Sequence, residues 1–253
     1  MTTRRLFILT GASRGLGAAI ARQLLAADTH LLTLSRHPDP ALGDAARAAG
    51  TVLEQWALDL SHDIGSAARF ETWLHQHTAA QFASATLINN AGLVGRVGPV
   101  DASDADTLAA VLRVGLEAPM LLASVFLRAT RTWAIDKRVL NISSGAGRRA
   151  IAGWSAYCAA KAGLDQFSRV SALDEAHRPN PARIVALAPG VIDTDMQGEL
   201  RAADPSGFPE QSNFITMKAS GQLPSPEAAA ARVLAYLARA DFGTQSVADV
   251  RDA

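Results

Sequence analysis

Cysteine is nearly absent from this 253-residue chain: Cys158 stands alone, so no intrachain disulfide can form. A reducing compartment, the cytoplasm, is the expected location. An excess of charge of either sign is missing too. The 24 basic and 24 acidic side chains balance, and no dense Lys/Arg run occurs. That removes the electrostatic footprint of a nucleic-acid or anionic-membrane partner. No stretch reads as a membrane span, and residues 6–9, the apolar piece behind Arg4 and Arg5, are too few for a signal-peptide core. The histidines, at 30, 37, 62, 75, 77 and 177, show no metal-ligand spacing, so no metal is expected. Aromatic residues make up 6% and tyrosine occurs twice, which makes the position of Tyr157 conspicuous.

What the chain does have is a repeated alternation. Short apolar segments at residues 5–10, 30–36, 52–60, 85–92, 138–144 and 182–190 read as strands, with a weak last one at 245–250. Helical spacing occupies 16–28, 39–50, 63–79, 104–134, 156–177 and 225–240, the last opened by Ser225 as cap and Pro226 at the first position. The 104–134 run reads as two helices or one bent helix, with Pro119 at the doubtful point. Strands that are apolar throughout, each followed by a helix, imply a mostly parallel sheet covered on both faces. The expected fold is therefore α/β, of the Rossmann-type doubly wound kind, in a single domain over residues 1–253. Residues 194–222 lack a strong period and read as short lid helices or a cover over an active site.

Between the first strand and the first helix lies TGASRGLG, residues 10–17. Gly11, Gly15 and Gly17 permit a tight turn and close approach of a ligand, and the helix beginning near Leu16 would aim free amides at a pyrophosphate. The spacing is neither GxGxxG nor a loop ending in GK[ST]. At the end of the second strand, where an acid would hold the ribose hydroxyls of NAD, the sequence reads LSRHPD. Arg36, helped by Arg14, suits an additional phosphate, so NADP(H) is expected in preference to NAD(H). The alternative is a solvated surface arginine.

Tyr157 and Lys161 are one helical turn apart in YCAAK and share a face. A parallel sheet gathers binding groups at the carboxyl ends of its strands, where NNAG (89–92), Ser143 and Ser144, and Pro189 and Gly190 all fall. Hydride delivered to a carbonyl carbon leaves charge on oxygen, which needs a proton donor and a hydrogen-bonding partner. Tyr157 suits the donor if the Lys161 ammonium lowers its pKa, and Ser144 suits the partner. Cys158, a quarter turn around the helix, reads as packing.

In this order the motifs resemble the classical short-chain dehydrogenase/reductase family over essentially the whole chain: TGASRGLG, NNAG, YCAAK and PGVIDT (189–194). The resemblance implies a catalytic set of Ser144, Tyr157 and Lys161, since the family serine stands 13 positions before the tyrosine. It implies cofactor contacts from Gly11, Ser13, Arg14, Gly15, Leu16, Gly17 and Arg36, then from Asp59, Leu60, Asn90, Ala91 and Gly92. Tyr157, Lys161, Pro189, Gly190, Ile192 and Thr194 complete that set. Substrate contacts are expected from Ser144, Trp154, Tyr157 and Met196. One position departs: VGLEAPM carries Gly115 where many members have an asparagine whose backbone serves a proton relay.

The stretches TGASRG, APGVIDTDMQ and KASGQLPSPEAAAARVLAYL look like the sepiapterin reductase branch and its bacterial benzil-reducing relatives. Asp249 and Asp252 are candidate equivalents of the acid that anchors a pterin there. The implied activity is NADPH-dependent reduction of an apolar 1,2-dicarbonyl to an α-hydroxy ketone. The implied assembly is a homodimer or homotetramer built through 104–134 and the YCAAK helix. The alternatives are a pterin-side-chain reductase, an NAD-dependent alcohol dehydrogenase and a non-catalytic NADP(H)-binding protein.

Overall fold

The computed structural model describes residues 3–62 and 65–252. Its strands are β1 (Arg4–Thr10), β2 (Thr29–Ser35), β3 (Val52–Ala57), β4 (Phe82–Asn89), β5 (Asp136–Ile142), β6 (Arg183–Ala188) and β7 (Val247–Asp249). They form one seven-stranded sheet in the order β3-β2-β1-β4-β5-β6-β7, with every neighbouring pair parallel. The order reverses between β1 and β4, and the crevice at the carboxyl ends of these strands is where such sheets bind ligands.

Successive side chains of a strand point to opposite faces, and both faces are apolar here. Phe7 and Leu9 of β1 join a core with Leu16 and Ile20 of α1 (Gly15–Gln23) and Val233 and Leu237 of α9 (Pro226–Ala238). Leu6 and Ile8 join the opposite core with Phe70 of α3 (Ser66–His75) and Leu122 and Phe126 of α5 (Ala118–Ala129). Local signals agree with this packing. In α2 (Pro40–Ala49) the Asp39 side chain accepts from the Ala41 amide, and Gly50 closes the end at φ 69°. Ser225 caps α9 by accepting from the Ala228 amide at 3.2 Å, a contact of a kind worth about 1 kcal/mol.

Several boundaries differ from the sequence expectation. The third strand ends at Ala57, and Leu58, Asp59 and Leu60 turn off the sheet. The fourth ends at Asn89, which leaves Asn90, Ala91 and Gly92 in the loop. Asp63 and Ile64, the start expected for the third helix, lie outside the described residues, as do Met1, Thr2 and Ala253 of the expected domain span.

Within 104–134, Ala105–Ala129 is one continuous helical run, which stops short of the expected end: α4 (Ala105–Leu112), a π turn over Arg113–Glu117, and α5. Pro119 is the second residue after the π turn, in the first turn of α5, where the hydrogen-bond ladder changes register and a missing N–H costs least. This run also corrects the expectation that no stretch reaches membrane-span dimensions. Ala105–Ala129 is 25 residues long and contains an 18-residue stretch with a mean hydropathy of 1.7, enough by length and composition, and half of that stretch is buried inside the fold. Arg113 and Glu117 break the apolar run in the sequence but both lie exposed, so the helix as a whole keeps its apolar character.

Residues 194–222 contain α7 (Asp195–Arg201) and α8 (Gln211–Ala219). Leu200, Phe208 and Phe214 of this segment are buried with Trp154 and Tyr157 of the α6 region (α6 being Ser155–Ala176) in a third apolar cluster. The segment therefore sits over the carboxyl end of the sheet.

Candidate active site

A cleft of about 390 Å³ opens there. The glycine turn forms one wall. Gly11 and Gly15 have φ of 70° and 54°, which favour glycine, and a Cβ at Gly17 would stand 2.0 Å from the Gly11 carbonyl oxygen. The turn is braced from the loop after β4: Thr10 Oγ1 accepts from the amides of Asn90 (2.9 Å) and Ala91 (3.0 Å), and the Asn90 side chain donates to the carbonyls of Thr10 and Gly11. The Asn90 side-chain amide thus holds the turn, while Asn90 itself lines the cleft. No side chain caps α1 and no acid occupies its first turn. A narrow cradle closed to any Cβ, facing an uncapped helix start, fits a dinucleotide pyrophosphate.

Arg36 follows β2, is exposed and lines the cleft, as do Asp59 and Leu60 opposite it. Arg14 reaches the same cleft, but its guanidinium lies 3.3 Å from the Asp195 carboxylate. Asp59 is engaged locally: its Oδ1 accepts from the Ser61 amide and hydroxyl, which hold its pKa below the usual carboxylate value. Ser13, Leu16, Gly92, Pro189, Gly190, Ile192, Thr194 and Met196 also line the cleft. All the site residues expected from the sequence are therefore brought to one concavity. Of the two C-terminal acids, Asp249 is buried, lines the cleft and pairs through both oxygens with Arg251; Asp252 is exposed and outside it.

Ser144, Tyr157 and Lys161 meet at the inner end. Ser144 leaves β5 in extended conformation, and its Oγ accepts from the Ala146 amide at 3.1 Å. Tyr157 and Lys161 are 8% and 4% exposed. Lys161 Nζ donates to the Ile142 carbonyl at 2.8 Å and stands 5.6 Å from the centre of the Tyr157 ring. The indole of Trp154 lies stacked on that ring.

Burial pushes the Tyr157 hydroxyl up to about 12, against a smaller lowering by the hydrogen bond with Ser144. The net shift is therefore opposite to the lowering expected from Lys161, because burial outweighs it. Desolvation of the same corner pulls Lys161 down to about 8, against a raising by Asp165, so the ammonium is itself poorly stabilised.

Asp165, one turn beyond Lys161, was not visible as a site residue. Its carboxylate accepts from Ser143 Oγ at 2.5 Å and from Arg148 Nε at 3.1 Å, while Arg148 also donates to the Ala248 carbonyl. The spacing of four from Lys161 was its available signal. Gln197 and Phe214, not expected from the sequence, line the cleft; Phe214 comes from a segment with no readable period.

The histidine expectation is amended too. Among the described residues, His30, Glu54 and His77 place their donor atoms within 4.8 Å of one another, at the amino-terminal edge of the sheet and away from the cleft.

A nucleotide cradle at the sheet's switch point, joined to a buried Ser–Tyr–Lys corner, defines a dinucleotide-dependent oxidoreductase class. The profile of the family described as short chain dehydrogenase matches residues 5–205, and the chain belongs to that family. It is 37% identical over 238 residues to the benzil reductase ((S)-benzoin forming) of Bacillus cereus, covering 94% of this chain and 96% of that one. It is 32% identical to the sepiapterin reductase of Xenopus tropicalis, covering 92% and 90%. A solved NAD(P)-dependent gluconate 5-dehydrogenase candidate from Beutenbergia cavernae, with bound NADP, superposes with a TM-score of 0.80 at 25% identity, covering 98% of this chain and 95% of that one.

Proposed function

We propose that this protein is an NADPH-dependent carbonyl reductase whose preferred substrate is a flat, apolar 1,2-dicarbonyl, reduced at one carbonyl to an α-hydroxy ketone. The observation that carries the reading is the junction of Ser144, Tyr157 and Lys161 in a buried corner walled by Trp154. When bound, NADPH supplies the hydride.

Ser144 Oγ holds the substrate oxygen, and the Tyr157 hydroxyl gives it a proton as negative charge develops there. Lys161, tethered to the Ile142 carbonyl, carries a positive charge below about pH 8 and favours the tyrosinate left behind. Arg36 at the end of β2, where no carboxylate stands, favours the additional phosphate of NADP(H) over the ribose hydroxyl of NAD(H). That feature argues against the NAD-dependent alcohol dehydrogenase.

Ile151, Trp154, Met196 and Phe214 supply apolar walls suited to a planar diaryl compound. The likeness to bacterial benzil reductase supports the same choice. A pterin would call for a free carboxylate, and Asp249 is occupied by Arg251. The segment 194–222 serves as the substrate cover. For assembly we favour a homodimer or homotetramer joined through α4, α5 and α6, whose Leu112, Met120, Val170 and Leu173 are exposed.

Steady-state comparison of benzil with a matched mono-ketone at fixed NADPH tests the reading. The diketone should win in kcat/KM by about tenfold or more, roughly 1.4 kcal/mol of transition-state preference. A win for mono-ketones or sepiapterin overturns the substrate assignment.

A further inference from the structure

His30 is the second residue of β2, Glu54 the third of β3, and His77 follows the end of α3. The sequence separates the two histidines widely; parallel pairing of β2 with β3 and the return of α3 toward β4 bring them together. His30 Nε2 lies 3.0 Å from Glu54 Oε1. An ionised carboxylate only accepts, so the Glu54 contact places a proton on His30 Nε2.

His77 makes the opposite use of its ring. Its Nδ1 lies 2.9 Å from the Trp73 carbonyl, which can only accept, so Nδ1 carries the proton and the neutral ring keeps a lone pair on Nε2. An imidazole whose other nitrogen donates to a backbone carbonyl is oriented as metal-ligating histidines are. The Trp73 indole N–H donates to both oxygens of Glu54, at 3.1 and 3.0 Å, and so fixes the carboxylate as a second support. Aromatic rings of Trp73 and Phe82 wall the cluster, while the Glu54 side chain is 37% exposed and gives an ion a route in.

We propose that His30, Glu54 and His77 form a binding site for a divalent transition-metal ion of the zinc class, remote from the cleft and structural in its effect. Two imidazoles and one carboxylate are a donor set suited to zinc, with a remaining position for water. Donors bound at ~2.0–2.2 Å in a tetrahedron stand about 3.3–3.6 Å apart. The strand-borne pair His30 and Glu54 is already near that separation. His77 lies in the connection after α3, so closing the remaining distance shifts a connection instead of a strand. A neutral His30 moves its proton from Nε2 to Nδ1 when the ion takes Nε2, so binding releases no proton from that ring. The bound ion ties β2, β3 and the α3–β4 connection together.

The test uses the untagged full chain, stripped with chelator and dialysed against dilute zinc chloride. Metal content by mass spectrometry should reach one zinc ion per chain, and saturating zinc should raise Tm by about 5 °C, as expected for a ligand that binds only the folded state. His77→Gln and Glu54→Gln should each weaken zinc binding at least about tenfold. His75→Gln, changing an exposed neighbour outside the set, should bind as the parent does, and NADPH affinity should be unchanged in all three. Circular dichroism without metal checks that each variant is folded. Zinc bound at well below one per chain, or bound equally by His77→Gln, overturns the proposal.

Discussion

The indole of Trp154 lies flat against the ring of Tyr157, with centroids 4.4 Å apart and planes 13° from parallel. This contact removes water from one face of the proposed proton donor and is part of the burial that raises its pKa. Trp154→Ala should lower the tyrosine pKa and raise KM for an aromatic diketone, whereas Trp154→Phe should keep most of both properties. Ultraviolet titration against the Tyr157→Phe background reads the first, and initial rates read the second. An unchanged KM in the alanine variant removes Trp154 from the substrate wall.

Tyr157→Phe should lower turnover by at least the ~10²–10⁴-fold associated with general acid catalysis while cofactor affinity stays close to that of the parent. Fluorescence titration with NADPH separates the two effects. Turnover within about threefold of the parent would falsify the assignment of the proton donor.

The pH dependence follows from Lys161 and Tyr157 with opposite signs. Lys161 falls from 10.5 to about 8 on folding, so its burial destabilises the protein fully below pH 8. That destabilisation is relieved as pH rises toward 10.5. Tyr157 rises from 10.0 to about 12, so above pH 10 the folded state holds a proton that the unfolded state has lost, and stability falls. Ketone reduction should accordingly decline on an alkaline limb near pH 8, as Lys161 loses its charge. Asp165→Asn, which removes the carboxylate that raises Lys161, should move this limb to lower pH. A limb that stays in place while Tm falls would leave Asp165 with a packing role alone.

Arg36→Asp should weaken NADPH binding far more than NADH binding, because a carboxylate repels the additional phosphate and can accept from a ribose hydroxyl. Calorimetric titration with each cofactor gives the ratio, and an unchanged ratio means that Arg36 is solvated surface. Arg14 should contribute less than Arg36, since Asp195 already neutralises part of its charge.

Gly115 is buried in the π turn, and a Cβ there would stand 3.0 Å from the Cβ of Ala160 on α6. Gly115→Asn, the residue common at the equivalent place in the family, should therefore cost about 1–3 kcal/mol through overpacking. Thermal denaturation measures the loss. A stabilised variant with faster turnover would show that the glycine merely lacks a useful side chain.

The alternation of apolar strands with amphipathic helices determined the fold class, because each sequence period can bury only one kind of face. The glycine turn and the YCAAK spacing were legible for a related reason: backbone freedom and a shared helix face are local properties. Distance along the chain hid the rest. Thr10 and Asn90 brace one another across two strands, Asp165 gathers Ser143 and Arg148, and Phe214 reaches Trp154 from a segment without period. Tertiary burial also decided the sign of the Tyr157 shift, since spacing reveals a neighbouring charge but not the water removed from both groups. The His30, Glu54 and His77 cluster exists only once β2 and β3 pair and α3 returns beside them. Local conformation was set by the sequence alone; which charges, donors and rings share one volume was decided by the packing of the sheet and its helices.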